Sequence, residues 1–361
     1  MKKRDKRTNK QAHERNADSE TSRRYRLQPD EVGMLEQFRR IKEEAEAAGL
    51  DVDSVRSGWI KSEDASLYFK NPNYKTPEQI GIEVMGKELL EEFKDYAPKY
   101  PTIKRNKSKD GHLLIVDPAD IHIGKLCTAY ETGADYNENI AVKRVLEGVK
   151  GLLDKSNGFN IDKILFVAGN DILHTDTPNK TTKGTQVEQD GTWYGNFLTA
   201  KKLYVDIIEM LIQVADVEMV FNPSNHDYQS GFFLAQTIEA HFNNSKNVTF
   251  DVSIAHRKYS VYGNSLIMTT HGDGAKQIDL GSLMSVEAKE HWAGAEHRYA
   301  YTHHVHHKSS KDYINISVET LRSPSPADSW HATKGFISKE AVEAFIHSKE
   351  NGQVARLTHF Y

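Results

Sequence analysis

His112-Leu-Leu-Ile-Val-Asp-Pro-Ala-Asp-Ile-His-Ile-Gly124 sets the terms of the fold. The run Leu113 to Val116 has the length and composition of a buried strand, and it stops in a turn that carries Asp120 and His122. The same grammar returns downstream. Ile164 to Ala168 leads into Gly169, Asn170 and Asp171; Val217 to Phe221 leads into Asn225, His226 and Asp227; Leu266 to Thr270 leads into His271, Gly272 and Asp273. Between these runs, Ile140 to Leu153, Thr192 to Val214 and Phe232 to Phe242 place apolar residues at helix spacing. Strands alternating with helices predict an α/β domain, and α/β sheets gather their ligand sites at strand ends.

Beyond Gly263 the pattern is richer in strands, including Tyr313 to Leu321, followed by an expected helix at Lys339 to His347 and a last strand near Val354 to Thr358. Upstream, the polar and basic run Lys104 to Lys109 reads as a linker. Before it, Leu35, Phe38, Ile41 and Ala45 mark one helix, Ser57 to Lys70 suits a hairpin, and Thr76 with Pro77 opens a second helix that Pro98 and Pro101 end. The expected organisation is a basic tail at 1–26, a small, mainly helical domain at 27–103 and a catalytic domain at 110–361. Met1 to Arg26 holds ten Lys or Arg against four Asp or Glu and almost no large apolar residue, the composition of a disordered segment. No internal repeat is evident.

The 361 residues are 38% hydrophobic and 27% charged, as in globular domains. No run of about 18 apolar residues exists to span a bilayer, and the first residues lack the apolar core of a secretory signal. The expectation is a cytoplasmic protein with no membrane partner. Cys127 is the single cysteine, so no intrachain disulfide can form, and a small packed residue is its simplest reading. The 17 histidines say more, because several stand beside acidic residues at strand ends.

Each strand-end cluster is weak alone, since an isolated histidine on an apolar strand is more often a hydrogen-bonded core residue than a ligand. Together with Thr302-His-His-Val-His-His307 and in this order, the clusters resemble the calcineurin-like metallophosphoesterase superfamily, whose signature runs Asp-x-His, Gly-Asp, Gly-Asn-His-Asp/Glu, His, Gly-His-x-His. The resemblance implies a four-layer sandwich of two packed mixed β-sheets flanked by helices, and a two-metal phosphodiester hydrolase. It implies that Asp120, His122 and His306 hold one divalent ion and Asn225, His271 and His304 a second, with Asp171 bridging both. A hydroxide between the ions would attack phosphorus, His226 would stand at the leaving group, and Asp227 would orient His226. The donor types make physical sense: two cations about 4 Å apart need a carboxylate between them and neutral ligands outside. Mixed nitrogen and oxygen donors suit manganese first, with iron, zinc or nickel as alternatives, over calcium.

The chain departs from the pattern in three places. Gly-Asp is here Gly169-Asn170-Asp171, so the bridge is Asp171 after a one-residue slip or else Asp176; Ser224 and His303 replace glycines, changes expected to alter backbone freedom and not ligand chemistry. The run of four histidines leaves its register open, and alternation along an extended segment would put His304 and His306 on one face.

Asp120-Ile-His122-Ile-Gly124 is similar to the start of the DNA repair exonuclease branch, that of the nuclease subunit of the bacterial SbcCD complex. The chain also resembles stand-alone phosphoesterases encoded by bacteriophages, with a helical front domain and a tail such as Ser323-Pro-Ser-Pro-Ala-Asp-Ser-Trp330. These likenesses imply an exonuclease-like DNA nuclease, make a homodimer an expectation, and leave any partner ATPase unidentified. The basic tail fits DNA, and Trp59, Tyr68 and Phe69 among lysines suit either a stacking surface or a core. A phosphodiesterase for small nucleotides stays open, as does a nucleic-acid-binding protein with a degenerate metal site. Lys180 and Lys183 in the loop from His174 to Trp193, with His174, Arg298 and Arg322, are candidates for substrate phosphate; an ordinary surface loop is the alternative.

Overall fold

The computed structural model describes residues 97–105 and 109–361 except 336, and, nearer the N-terminus, 56–61, 66–71, 74, 75 and the single positions 39, 42 and 43. The chain forms two compact units, Met1–Glu92 and Phe93–Tyr361. In the smaller, strands β1 (Ser57–Lys61) and β2 (Ser66–Lys70) pair as the expected hairpin. Trp59 stands opposite Tyr68 with ring centres 5.2 Å apart, and both rings are exposed. Of the first expected helix only positions 39, 42 and 43 are described, and they are helical. The second, at 76–96, and the basic tail lie outside the described residues.

Two sheets build the larger unit. One has the order β13-β12-β3-β4-β5-β6, in which β3 (His112–Asp117), β4 (Ile161–Gly169), β5 (Asp216–Asn222) and β6 (Val248–Asp251) run parallel. Here β12 (Ala341–Ser348) is antiparallel to both β3 and β13 (Gly352–Phe360). The other has the order β10-β11-β9-β8-β7, from β7 (Arg257–Tyr262), β8 (Ser265–Thr270), β9 (His297–Thr302), β10 (Ser309–Tyr313) and β11 (Ile316–Thr320). In it β8, β9 and β11 are parallel.

Strands β3 and β8 and the C-terminal parts of β4 and β5 read as continuous apolar runs because both faces of each are covered. Along β3, Leu113 and Ile115 turn to the layer between the sheets, while Leu114 and Val116 turn to the helices; Leu165 and Val167 alternate with Ile164, Phe166 and Ala168 on β4 in the same way. Between the sheets these residues meet Ile267, Tyr301, Leu321 and Phe345. Helices α2 (Glu138–Lys155), α3 (Trp193–Val214) and α4 (Tyr228–His241) cover the first sheet. Leu280 and Met284 of α5 (Leu280–Glu287) cover the second, with α6 (Lys289–Trp292) following. Short helices α1 (Ala129–Thr132) and α7 (Ser329–Lys334) lie in loops. The result is the expected pair of mixed sheets flanked by helices. No helix among the described residues is long and apolar enough to cross a membrane.

Three expectations are corrected. Lys339 to His347 is not a helix: it holds β12, whose residues Ala341 to His347 are all buried between β3 and β13. Its one acid, Glu343, is neutralised by Arg322 and Arg356 across the sheet. Tyr313 to Leu321 is not one strand but the end of β10, a turn and β11. Tyr100 and Ile103 belong to the larger unit: both pack on its core, and Asn247 bonds the backbone N–H and carbonyl of Ile103 at 2.8 and 2.9 Å.

Candidate metal centre

The parallel strands β3, β4 and β5 and, in the other sheet, β8 and β9 deliver their C-terminal loops to one place. The loops carry Asp120 and His122, Asn170 and Asp171, Asn225 and His226, His271, and His304 and His306. Their backbone is costly. Asp120, His122, Asn170, Asp171, His304 and His306 all have φ between 52 and 70°, and Asn179 is the only other described non-glycine residue with positive φ. Each such residue costs on the order of 1–3 kcal/mol, so this clustering marks a place where side-chain position outweighs local stability. Gly169 shares the left-handed turn at φ +94°, and a Cβ there would lie 2.1 Å from the Asn222 carbonyl oxygen.

The donor atoms form overlapping groups, each with ligand atoms within 4.8 Å of one another: Asp120, His122 and His306; Asp171, His271 and His304; and His122, His174 and His226. Asp171 lies between the first two. Its Oδ2 is 3.3 Å from His271 Nε2 and 4.0 Å from His122 Nε2, and its Oδ1 accepts the His226 backbone N–H at 2.9 Å. Asp120 Oδ1 is 3.4 Å from His306 Nε2, and its carboxylate accepts the His304 N–H at 3.2 Å. Asn225 Oδ1 is 2.8 Å from His271 Nε2. The register of the histidine run is thereby fixed, although not by alternation. β9 ends at Thr302, and His304 and His306 turn to different groups through left-handed backbone.

Charge makes the case for cations. Asp120 and Asp171 are buried, and no Lys or Arg pairs with either among the described residues. Burial raises both carboxyls, yet His306 and His271 beside Asp120, and His271 and His226 beside Asp171, override it and hold both below the usual range. Burial pulls His271 down, but Asp171 and Asp120 bring it up to about 9, so a proton there offsets the two carboxylates. His122 goes the other way: burial, then the charges of His226 and His306, keep it far below the ordinary histidine range. Two buried carboxylates, converging imidazoles and an amide oxygen could hold metal, with Asp120, His122 and His306 on one side, Asn225, His271 and His304 on the other, and Asp171 between.

Other expected site residues fall elsewhere. Asp227 does not orient the His226 ring. Its carboxylate accepts from Ser224 Oγ at 2.6 Å and Leu173 N at 2.9 Å, while His226 Nδ1 is held 3.0 Å from the His174 carbonyl. Burial and the nearby charge of Asp171 raise Asp227 to about 7. Asp176 is not the bridge, because its Oδ1 accepts the Gln229 and Ser230 N–H groups at the start of α4. Arg298 is structural: it lies 4.4 Å from the Trp292 ring centre and donates to the Trp292 and Ala295 carbonyls. Arg322 is likewise committed to Glu343. Lys180 and Lys183 are exposed on the loop, with no side-chain bond to the site among the described residues. His174 is buried in the centre itself, and burial and His226 lower it to about 3.

Several contributors were missed. Ser224 Oγ accepts the Asp171 N–H at 2.8 Å and donates its own hydrogen bond to Asp227 Oδ1, so the residue in place of a glycine holds the Asp171 loop. His303, in place of the other glycine, joins the sheets: its Nε2 is 2.9 Å from Asp117 Oδ2 and its Nδ1 is 3.0 Å from the Thr270 carbonyl. Ser323 Oγ donates to the Asp120 carbonyl at 2.6 Å, and buried Lys125 donates to the Pro326 carbonyl at 2.6 Å, strapping the Ser323 to Trp330 segment along the first metal loop. The buried-strand position of Asp117, three residues before Asp120, was the one available signal.

No family model matches this sequence, and no curated protein matches it. Among solved structures, a novel archaeal phosphodiesterase is similar at 7% identity with a TM-score of 0.31, over 69% of this chain and 99% of that one. Vps29 from Entamoeba histolytica complexed with zinc is similar at 11% identity and a TM-score of 0.30, over 69% and 98%. A predicted phosphoesterase from Streptococcus pneumoniae TIGR4 gives 12% and 0.27, over 71% and 100%.

Proposed function

We propose that this chain is a divalent-cation-dependent phosphodiester hydrolase acting on DNA. The observation that carries the reading is Asp171: one carboxylate set between two groups of ligand atoms, with Oδ1 pinned by the His226 N–H and Oδ2 facing His122 and His271. Bound cations would supply charge stabilisation of a phosphate ester and a lowered pKa for water. The chain's residues do the rest. Asp120, His304 and Asn225 fix the donor geometry, and Ser224 keeps the bridging loop in its left-handed turn. The His174 carbonyl accepts the Nδ1–H of His226, which leaves Nε2 to take up a proton and then give it to a departing oxygen. Support for DNA comes from the basic residues of Met1 to Arg26 and from the exposed Trp59 and Tyr68 pair, a surface on which bases can stack.

The test is manganese-dependent hydrolysis by the full-length chain on single-stranded DNA, double-stranded DNA and a panel of cyclic and linear small nucleotides. Degradation of DNA that disappears in Asp171→Asn is the expected result. Turnover confined to small nucleotides would overturn the choice of substrate, and manganese-independent turnover would overturn the mechanism.

A further inference from the structure

We infer that His122, His174 and His226 form an alternative seat for a nitrogen-preferring divalent cation such as zinc, and that an ion drawn there inhibits the enzyme. The inhibitory consequence rests on the function proposed above; the seat itself rests on the geometry of three rings.

Their ligand nitrogens lie within 4.8 Å of one another, and the ring planes are inclined at 74° for His122 and His226, 82° for His122 and His174, and 27° for His174 and His226. Ring centres are 4.6 Å apart for His122 and His226, 5.5 Å for His122 and His174, and 5.4 Å for His174 and His226. Three imidazoles sharing one ion, each nitrogen about 2.0–2.1 Å from it, have ring centres roughly 5 Å apart. His226 is prepared for the role by the His174 carbonyl, which holds the Nδ1 proton and leaves the Nε2 lone pair available, the second-shell arrangement of many metal-bound histidines. His174 Nδ1 is buried with no hydrogen-bond partner, so that ring keeps a nitrogen that the protein does not use.

The chemistry separates this seat from its neighbour. Asp120, His122 and His306 include a carboxylate and accommodate a hard ion such as manganese. The all-imidazole group favours zinc, copper(II) or nickel. Because His122 belongs to both, an ion on the three-histidine seat displaces one from the mixed seat, and it takes the His226 ring out of the reaction at the same time. The seat is therefore a competitor and not a third site.

The experiment adds zinc to the manganese-loaded full-length chain during hydrolysis and, in parallel, adds cobalt(II) and records the visible difference spectrum. Zinc should inhibit, and His174→Gln should raise the inhibitory midpoint by at least about tenfold, a loss expected even of an outer-shell partner. His174→Gln and the more compact His174→Asn should both lose the cobalt band, with thermal melting confirming that each is folded. An inhibitory midpoint and cobalt band unchanged in a folded His174 variant would overturn the seat while leaving the hydrolase reading intact. A band lost in the variants of a chain that hydrolyses no phosphodiester would establish the seat and overturn the function.

Discussion

Two buried acid and histidine pairs stand at the C-terminal ends of the strands, and they behave differently. Asp117 and His303 close on one another at 2.9 Å, and the second ring nitrogen of His303 goes to the Thr270 carbonyl, so the histidine is fully engaged by protein. Asp171 and His271 stand 3.3 Å apart, and His271 Nδ1 is buried without a partner. The first pair sits beneath the loops and joins the two sheets; the second sits in left-handed backbone with further donor atoms converging on it. A histidine beside a carboxylate is therefore a poor sign of a metal site. Donor atoms left over after the protein's own bonds are counted, held in strained backbone, are a better one.

The comparison breaks first at Asp171. Asp171→Asn should reduce manganese-dependent turnover to background, because an amide cannot hold two cations together, whereas Asp117→Asn should retain turnover and act on stability; steady-state rates beside thermal melts separate the two. Next, His226→Gln should lower kcat by about 10²–10⁴-fold, the usual contribution of a positioned acid, while metal content measured on the purified variant stays the same. Ser224→Ala should weaken manganese binding by about 10–100-fold, because the Asp171 N–H loses its acceptor. Titration calorimetry against the wild type checks this. The smallest effect belongs to a histidine away from the centre. His347 is lowered to about 3 by burial and the charge of His297, and its Nε2 meets Tyr301 Oη at 2.6 Å. Its folded pKa lies below its unfolded value near 6.5, so its stabilising contribution is present above that value and declines as pH falls from about 6.5 to 3. His347→Gln should flatten the loss of stability across that window in denaturant melts.

The strands that carry the centre were legible because each is covered on both faces and reads as an uninterrupted apolar run, with its polar cluster just beyond. β12 was not: Ala341-Val-Glu-Ala-Phe-Ile346 fits a helix period as well as a buried strand, and the partners that neutralise Glu343, Arg322 and Arg356, are distant in sequence. The donor residues were legible as residue types at strand ends. Their supports were not, since His226 is held by a carbonyl and Asp171 by a hydroxyl from another loop, contacts that no side-chain pattern announces. Arg298 and Arg322 show the same limit in reverse, because a lone arginine near a motif does not disclose that backbone carbonyls or a buried acid already occupy it.

In the proposed hydrolase the Asp171 carboxylate joins two cation seats. Counting manganese bound per chain, in the full-length protein and in Asp171→Asn after identical loading and removal of free metal, tests it most directly. The expected result is about two ions in the wild type, as a two-metal site requires, and loss of metal in the variant. Fewer than one ion in the wild type, or an unchanged count in the variant, would contradict it.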